Sequence, residues 1–495
     1  MNNCSLQYLL APWIMDIPNS FFKDMVTDSR DVSCNDLFVA LEGHRTNGYF
    51  YISDALAQGA SAIIAQCNNR FFDKGIFNYR GIPIVYINQL QQYLSAIAGR
   101  FFNHPSKFFR LVGVTGTNGK TTITHLLSNW VFLLNEISAV MGTIGNGIIG
   151  NICPSKNTTC SAIEIQKMLA QFRKQGVTFV AIEVSSHGLA EDRVKDLCFD
   201  AAVFTNLTQD HLDYHGNMFN YELVKWQLFS VLKAKEFVIN CDDTVGRKWL
   251  LKLPHAVAVS ILGNFPCDHW SGRWLRVIKA HYYSDHTKII FDSSWGHGLI
   301  NTQLVGTFNV SNLLLAMATL LVLKYPLSLL LSTVVKLQNV CGRMEVFRVI
   351  NYPIIIVDYA HNPGALKQSL LTSRLYSRGK LCCVFGCGGD RDKAKRSLMG
   401  VIAERYADNI IITNDNPRNE NPQDIIDDIK KTILDKTNVK VITSRSEAID
   451  VAIRQCSPDD LVLISGKGHE DYQLVGNKRL NYSDLITVKK ILGMV

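Results

Sequence analysis

The chain reads as an α/β protein built from three domains, and three observations carry that reading. Short apolar runs alternate with helical stretches along its 495 residues, the pattern of parallel sheets covered by helices. The runs end in polar clusters, where parallel sheets place their ligands. A chain this long exceeds what one core supports, so roughly two to four domains are expected.

In the first region, to about residue 105, strands are expected at 36–40 and 62–65, with an amphipathic helix near 52–58. A largely apolar stretch, 109–114, then opens a new unit. Strand-like runs follow at 177–184, 201–205 and 237–240, each closed by polar residues. A boundary falls near Cys341-Gly342-Arg343, after which 353–358, 381–386, 410–413 and 460–464 repeat the strand-then-loop pattern. The resulting domains are 1–108, 109–340 and 341–495. No internal repeat or low-complexity linker interrupts them.

Composition narrows the class. A hydrophobic fraction of 47% with 10% aromatic residues can bury sizeable cores and argues against extensive disorder. The net charge of +8 is spread along the chain, so no nucleic-acid partner is expected and small anionic ligands explain the excess. The longest apolar run, 313–323, contains Thr319, stops at Lys324 and is too short to cross a bilayer, which makes it a buried core helix. No membrane insertion is expected. The first residues lack a basic segment and run into Pro12, so a cytoplasmic location is expected. The 13 cysteines form no regular framework and fit reduced thiols. Cys382, Cys383 and Cys387 cluster without a second Cys/His pair at zinc spacing, and are read as core rather than metal ligands.

The most informative motif is Gly116-Thr117-Asn118-Gly119-Lys120-Thr121-Thr122 after the 109–114 run. A strand feeding a Gly-rich turn, with Lys and Thr opening a helix, aims backbone N–H groups, an ammonium and a hydroxyl at one anion such as the ATP γ-phosphate. The residue five before Gly119 is Val114 rather than Gly, so the loop is a variant of the usual spacing. The alternative is an ordinary Gly-rich turn. Glu183, in Glu-Val-Ser-Ser-His-Gly, and His211, in the polar run 206–216, fall at strand ends where a Mg²⁺-ATP site needs ligands, and Lys225 follows on a helix. Taken singly, each suits a surface or capping role; the cradle tips the balance towards Mg²⁺ and ATP.

Several further motifs give the chain a resemblance to the Mur ligases, ATP-dependent amide-forming enzymes of peptidoglycan precursor synthesis. They are 115–122 itself, Asn157-Thr158-Thr159, Ser185-Ser186-His187-Gly188, 210–215, Gly306 to Asn312, Gly342-Arg343-Met344-Glu345, Asp358-Tyr359-Ala360-His361, Gly388 to Lys393, Asp415-Asn416-Pro417-Arg418 and Gly466-Lys467-Gly468-His469-Glu470. The chain looks like the branch that adds meso-diaminopimelate to UDP-N-acetylmuramoyl-L-alanyl-D-glutamate. The resemblance implies a UDP-substrate-binding domain, a central P-loop ATPase-like domain and a C-terminal Rossmann-like amino-acid-binding domain, in a monomer whose partners are small molecules: ATP, the UDP-muramoyl-dipeptide and meso-diaminopimelate.

What the resemblance implies for chemistry is a two-step reaction through an acyl phosphate, driven by positioning and charge neutralisation. Lys120 would meet the β- and γ-phosphates, Thr121 and Glu183 would hold Mg²⁺, and His211 with a carbamylated Lys225 would hold a second. Asn309 and Asn312 would serve the adenine side, and Arg343 and Asp358 the phosphate and ribose; capping or salt bridging is the alternative for these. Thr27, Ser29, His44, Arg45 and Thr46 would bind the UDP part, and Asn157, Thr158, Thr159, Ser185, Glu191 and Arg193 the muramoyl-dipeptide. Glu191 departs from the neutral amide the family implies, and its carboxylate would repel an anionic substrate unless it points away or meets a cation. Arg391, Asp415, Asn416, Pro417, Arg418, Gly466 and Glu470 would bind diaminopimelate, with the Arg418 fork on its distal carboxylate. Lysine lacks that carboxylate and would set an ammonium against the fork. Two rivals stay open: another ligase of the superfamily, lysine-adding or like folylpolyglutamate synthetase, and a non-catalytic ATP-dependent switch.

Overall fold

A computed structural model describes residues 4–43, 47–68, 73–232, 234–265, 270–283 and 286–494. Packing divides the chain into two compact units whose segments interleave. The first gathers Met1–Gly113, Glu136–Asp200 and Val224–Lys235; the second gathers Val114–Asn135, Ala201–Leu223 and Glu236–Val495. The contiguous boundaries expected from the motifs divide the chain by sequence signature, whereas these units divide it by contact.

In the first unit a five-stranded sheet runs in the order Met25–Val26, Leu37–Ala40, Ala62–Cys67, Ile82–Asn88, Ile76–Tyr79. All its pairs are parallel except the last. The expected strands at 36–40 and 62–65 and the helix Ile52–Ala57 are here. Alternate residues of the central strands face two cores: Leu37, Val39, Ala62 and Ile64 pack in one and Phe38, Ala40, Ile63 and Ala65 in the other. That two-sided burial is why these strands read as continuous apolar runs. The same unit pairs Phe179–Glu183 in parallel with Ser138–Met141, so the carboxyl ends of both strands lie side by side. The following helix Ala162–Lys174 is started by a capping box between Ser161 and Glu164.

The second unit holds two large sheet systems and a separate hairpin, Tyr472–Val475 with Lys478–Asn481. In one, Ala201–Phe204, Glu236–Asn240 and Val257–Ser260 run parallel, and the chain then adds Trp274–Tyr282, Thr287–Ser293 and Gly298–Thr302, the last two joined antiparallel to their neighbours. These three final strands were not foreseen from the sequence. In the other, six strands lie in the order Glu345–Phe347, Ile354–Asp358, Leu461–Ser465, Leu381–Phe385, Asn409–Ile412, Val439–Val441, parallel throughout except the first pair. The apolar run at 313–323 lies almost wholly in the helix Thr307–Val322, whose residues from Asn312 to Val322 are all buried. A Leu taken fully out of water contributes about 1.5 to 3 kcal/mol, so this helix anchors the sheet it covers. Cys382, Cys383 and Cys387 are buried in the cores of the six-stranded sheet. No helix among the described residues is long and apolar enough to cross a membrane.

Candidate active site

The strand Arg110–Thr115 ends directly in the glycine-rich turn, and the helix Lys120–Leu133 starts from Gly119, whose φ of 89° is open to glycine but costly for other residues. Gly116, at φ 143°, has no room for a side chain either: a Cβ would lie 1.8 Å from Thr205 Oγ1. The cradle is stapled to the segment that follows the strand Ala201–Phe204. Thr117 N–H donates to Asn206 O (2.8 Å), Asn118 N–H to Asn206 Oδ1 (3.0 Å), and Thr205 Oγ1 to Asn118 O (2.6 Å). Thr117 Oγ1 exchanges hydrogen bonds with Thr208, donating to its carbonyl at 3.1 Å and accepting from its N–H at 3.0 Å. This network fixes a loop whose first position is Val114 instead of glycine. Lys120 Nζ folds back onto the carbonyls of Gly116 (3.0 Å) and Thr117 (2.8 Å), which keeps an ammonium at the mouth of the cradle.

Two other expected nucleotide residues, Asn312 and Arg343, reach the same turn within this unit, and Asn309 bonds to the first of them. Asn312 approaches Gly119 so closely that a Cβ there would lie 2.6 Å from its Oδ1, and its amide donates to Asn309 Oδ1 at 3.3 Å one helical turn back. Arg343 Nη2 donates to Thr121 Oγ1 at 3.1 Å while the guanidinium stacks 4.1 Å from the Tyr359 ring centre. Asp358, last residue of its strand, accepts from Met344 N–H (3.1 Å) and from Ser369 Oγ (2.5 Å), so both oxygens are held by protein donors. His211 sits in the left-handed region at φ 55°, half exposed, with Nε2 3.7 Å from the Asp210 carboxylate. Burial alone would push Asp210 up, but the positive charges of His211, His361, Lys395 and Lys120 outweigh it and hold the carboxyl well below the usual range.

A second cluster of the same unit is built from the turns after Leu381–Phe385, Asn409–Ile412 and Leu461–Ser465, all at carboxyl ends of parallel strands. Arg418 adopts φ 52° and its main chain is clamped by a hairpin: its N–H donates to Leu474 O (3.0 Å) and its carbonyl accepts from Gly476 N–H (2.6 Å). Its guanidinium donates through Nη1 to the carbonyls of Gly389 (2.8 Å) and Asn416 (3.5 Å). A Cβ at Gly388 would meet Arg418 Nη1 at 2.8 Å and Arg391 Cγ at 3.8 Å, so two arginines close on one glycine. Burial, and then the charge of Arg391, push the Arg418 guanidinium below its ordinary value. Glu470 Oε2 accepts from Asn416 Nδ2 (2.9 Å) and from Lys467 Nζ (2.8 Å). Gly466, at φ 123°, lets Asp415 approach: a Cβ would lie 2.6 Å from Asp415 Oδ2. Pro417 carries the turn between Asn416 and Arg418, and a Cβ at Gly389 would lie 1.9 Å from its carbonyl oxygen.

The first unit holds the remaining described candidates, of which Thr158, Thr159, Ser185, Glu191 and Arg193 are linked to the end of Phe179–Glu183. Glu183 is fully buried, accepting from Thr143 N–H (2.8 Å) and from Thr143 Oγ1 (3.1 Å); Gly142 must be glycine, since a Cβ would lie 2.2 Å from Glu183 Oε1. Thr143 Oγ1 also lies within hydrogen-bond distance of Thr158 Oγ1, at 3.0 Å. Thr159 Oγ1 bonds to Glu183 O (2.8 Å) and Ser185 Oγ (3.0 Å), and Ser185 caps the short helix Ser186–Ala190 by accepting from Gly188 N–H. Arg193 Nη1 donates to Thr159 O (2.6 Å), and its Nε and Nη2 both donate to Glu191 Oε2, at 2.9 and 2.6 Å. The carboxylate expected to repel unless it met a cation has therefore met one. Asn157 lies exposed, with its carbonyl accepting from Ser155 Oγ at 2.8 Å. Lys225 is buried to 1% exposure on the helix Met218–Ser230. Thr27 is exposed and Ser29 is buried in a 3-10 turn capped by Asp28. His44, Arg45 and Thr46 lie outside the described residues.

Two side chains that sequence reasoning left without a role stand at the centre of these networks. Asn362 is 1% exposed, caps the helix Pro363–Tyr376, and donates to Asn118 Oδ1 at 3.0 Å and Asp210 Oδ2 at 3.3 Å. Asn before Pro marks a helix start, so the cap was legible, but its second set of contacts was not. Lys467 is fully buried and its Nζ donates to Asn416 Oδ1 (3.0 Å) as well as to Glu470.

Three family profiles match the chain in order: "Mur ligase family, catalytic domain" over residues 22–102, "Mur ligase middle domain" over 114–320, and "Mur ligase, glutamate ligase domain" over 342–468. Among solved structures, a UDP-N-acetylmuramoyl-L-alanyl-D-glutamate–2,6-diaminopimelate ligase is 32% identical over 99% of both chains, with a TM-score of 0.69. The MurF ligase of Thermotoga maritima in complex with ADP shares the fold at 18% identity over 95% of this chain and 96% of that one, TM-score 0.61. The folylpolyglutamate synthase of Mycobacterium tuberculosis, complexed with ADP and AMPPCP, does so at 17% identity over 76% and 92%, TM-score 0.62.

Proposed function

The chain belongs to the Mur ligase family of ATP-dependent amide-bond-forming ligases, and we propose that it adds meso-2,6-diaminopimelate to UDP-N-acetylmuramoyl-L-alanyl-D-glutamate, releasing ADP and phosphate. The observation that carries the choice of amino acid is the pair Arg418 and Arg391. Both approach Gly388, the charge of Arg391 bears on the Arg418 guanidinium, and the hydrogen bonds of Arg418 go to carbonyls, so among the described residues no carboxylate is bonded to it. A carboxylate brought by the ligand relieves that repulsion and completes the fork, whereas the ammonium of lysine adds a third positive charge. Glu470, held by Asn416 and Lys467, is oriented to accept from an amino group of the same ligand.

For the first half-reaction, the cradle amides, Lys120 and Arg343 hold the ATP phosphates, while the substrate carboxylate attacks the γ-phosphorus to give an acyl phosphate. The incoming amine then displaces phosphate. Asn309 and Asn312 take the adenine side and Asp358 the ribose. Thr27, Ser29 and the 44–46 segment take the UDP part; Asn157, Thr158, Thr159, Ser185 and Arg193 take the dipeptide. The donor chemistry suits a hard divalent cation: Glu183 accepts one donor at each oxygen and keeps lone pairs, Thr121 offers a hydroxyl and His211 a half-exposed imidazole. In this reading Thr121, Glu183, His211 and a carbamylated Lys225 would each serve as a Mg²⁺ ligand, and the metal would supply neutralisation of charge on the transferring phosphoryl group.

The test is ATP-dependent product formation from UDP-N-acetylmuramoyl-L-alanyl-D-glutamate with meso-diaminopimelate or L-lysine, read by mass spectrometry alongside phosphate release. The expected result is product with diaminopimelate alone and phosphate release that needs both co-substrates. Product with lysine would overturn the specificity. Phosphate release with neither would indicate a stand-alone ATPase.

A further inference from the structure

The carboxylate at residue 191 occupies the place where the arginine beside it would receive one. Glu191 Oε2 alone takes two of the donors of Arg193, at 2.9 and 2.6 Å, so one carboxylate oxygen occupies the Nε–Nη2 edge that a guanidinium offers a ligand carboxylate. The arginine does not depend on that contact for its position. Its Nη1 is held by Thr159 O at 2.6 Å, and its N–H donates to Gly188 O at 2.9 Å. Glu191 is likewise placed by its main chain, whose N–H closes the helix Ser186–Ala190 onto His187 O and Leu189 O. The two side chains are 22% and 19% exposed, so the pair is within reach of a solute. The ion pair is therefore not what builds this corner.

We propose that Glu191 is an internal counter-ion that closes the fork of Arg193 and competes for it with the carboxylate of the dipeptide substrate, so that residue 191 sets the affinity for that substrate. The proposal rests on the reading of Arg193 as a dipeptide contact. Its physical content is an exchange: one carboxylate leaves the guanidinium and another arrives. The displaced Glu191 carboxylate then stands near an anion, which adds repulsion to the cost of displacement. A neutral amide at 191 accepts a weaker hydrogen bond from Arg193 and carries no charge against the newcomer, so binding tightens.

The experiment measures the dissociation constant of UDP-N-acetylmuramoyl-L-alanyl-D-glutamate by calorimetry without ATP, for wild type, Glu191→Gln, Arg193→Ala and the double variant. Glu191→Gln is expected to tighten binding about threefold to fivefold, the range of a partly exposed ion pair. Arg193→Ala is expected to weaken it by about tenfold or more. In the double variant the gain from Glu191→Gln should shrink to the part due to charge repulsion, because the fork it frees is gone. Unchanged or weaker binding in Glu191→Gln, with Arg193→Ala still weakened, overturns the counter-ion alone. Unchanged binding in Arg193→Ala overturns both the counter-ion and the dipeptide reading of Arg193. A tightening of undiminished size in the double variant also overturns the proposal, since it would not act through the fork.

Discussion

Replacing Arg418 separates the amino-acid pocket from everything that supports it. In Arg418→Ala the main-chain bonds to Leu474 O and from Gly476 N–H remain, as does the Lys467–Glu470 pair, so the loop keeps its course. What is lost is the fork. Two charge-assisted hydrogen bonds to a ligand carboxylate, at about 1.5 kcal/mol each, amount to roughly 3 kcal/mol, or on the order of 150-fold in affinity. Arg418→Lys keeps a point charge but cannot make the paired contact, and about half of that loss, roughly tenfold, is expected. The assay is initial rate against meso-diaminopimelate concentration at saturating ATP and UDP-substrate, with the KM for ATP as control. The reasoning is refuted if Arg418→Ala leaves the KM for diaminopimelate within about threefold of wild type, or if it raises the KM for ATP to the same extent.

Three further outcomes follow from the buried networks. Asn362→Ala removes a donor from both Asn118 Oδ1 and the buried Asp210 carboxylate, and should raise the KM for ATP while lowering stability by about 1 to 3 kcal/mol in chemical denaturation. Lys467→Met keeps the volume but strands Glu470 and Asn416 without their shared cation. It should cost about 3 kcal/mol of stability and raise the KM for diaminopimelate far more than that for ATP. His125 is pushed down from 6.5 to about 4, first by burial and then by the nearby charge of Arg343. Its neutral form is the one folded into the core, so the stability it carries is present above pH 6.5 and is lost as pH falls towards 4, by on the order of 3 kcal/mol. His125→Gln should flatten the pH dependence of unfolding in that window, and an unaltered slope would contradict the assignment.

The strands that proved legible are those buried on both sides. Ala62–Cys67, Phe179–Glu183 and Leu381–Phe385 are unbroken apolar runs because helices cover both faces of their sheets, and each fell within a few residues of its expected span. Trp274–Tyr282 and Thr287–Ser293 were missed because the first is mostly half-buried or exposed, the second buries only every other residue, and they carry Lys279, His281, Lys288 and Asp292, which reads as a polar connection. The glycine positions were legible in kind: Gly116 and Gly119 are where the cradle forbids a side chain. Partners were not legible. Nothing in the spacing of Asn362 and Asn118, 244 positions apart, announces a hydrogen bond, and the sign of Glu191 depended on where Arg193 pointed. Interleaving of the two compact units is equally hidden, since contiguous reading assigns each stretch to one neighbourhood.

The hairpin Tyr472–Val475 and Lys478–Asn481 grips residue 418 by its peptide groups alone, in a left-handed conformation that is independent of the side chain it displays. Form and preference are thus carried by different atoms of the same residue. A lineage could exchange the side chain at 418 for one suited to another amino acid without rebuilding the socket, with glycine or asparagine accommodated most easily by the backbone. On the proposed role of Arg418, a change of selectivity is therefore within reach of a single codon change, and a panel of substitutions at 418 tests which amino acids this ligase scaffold is able to accept.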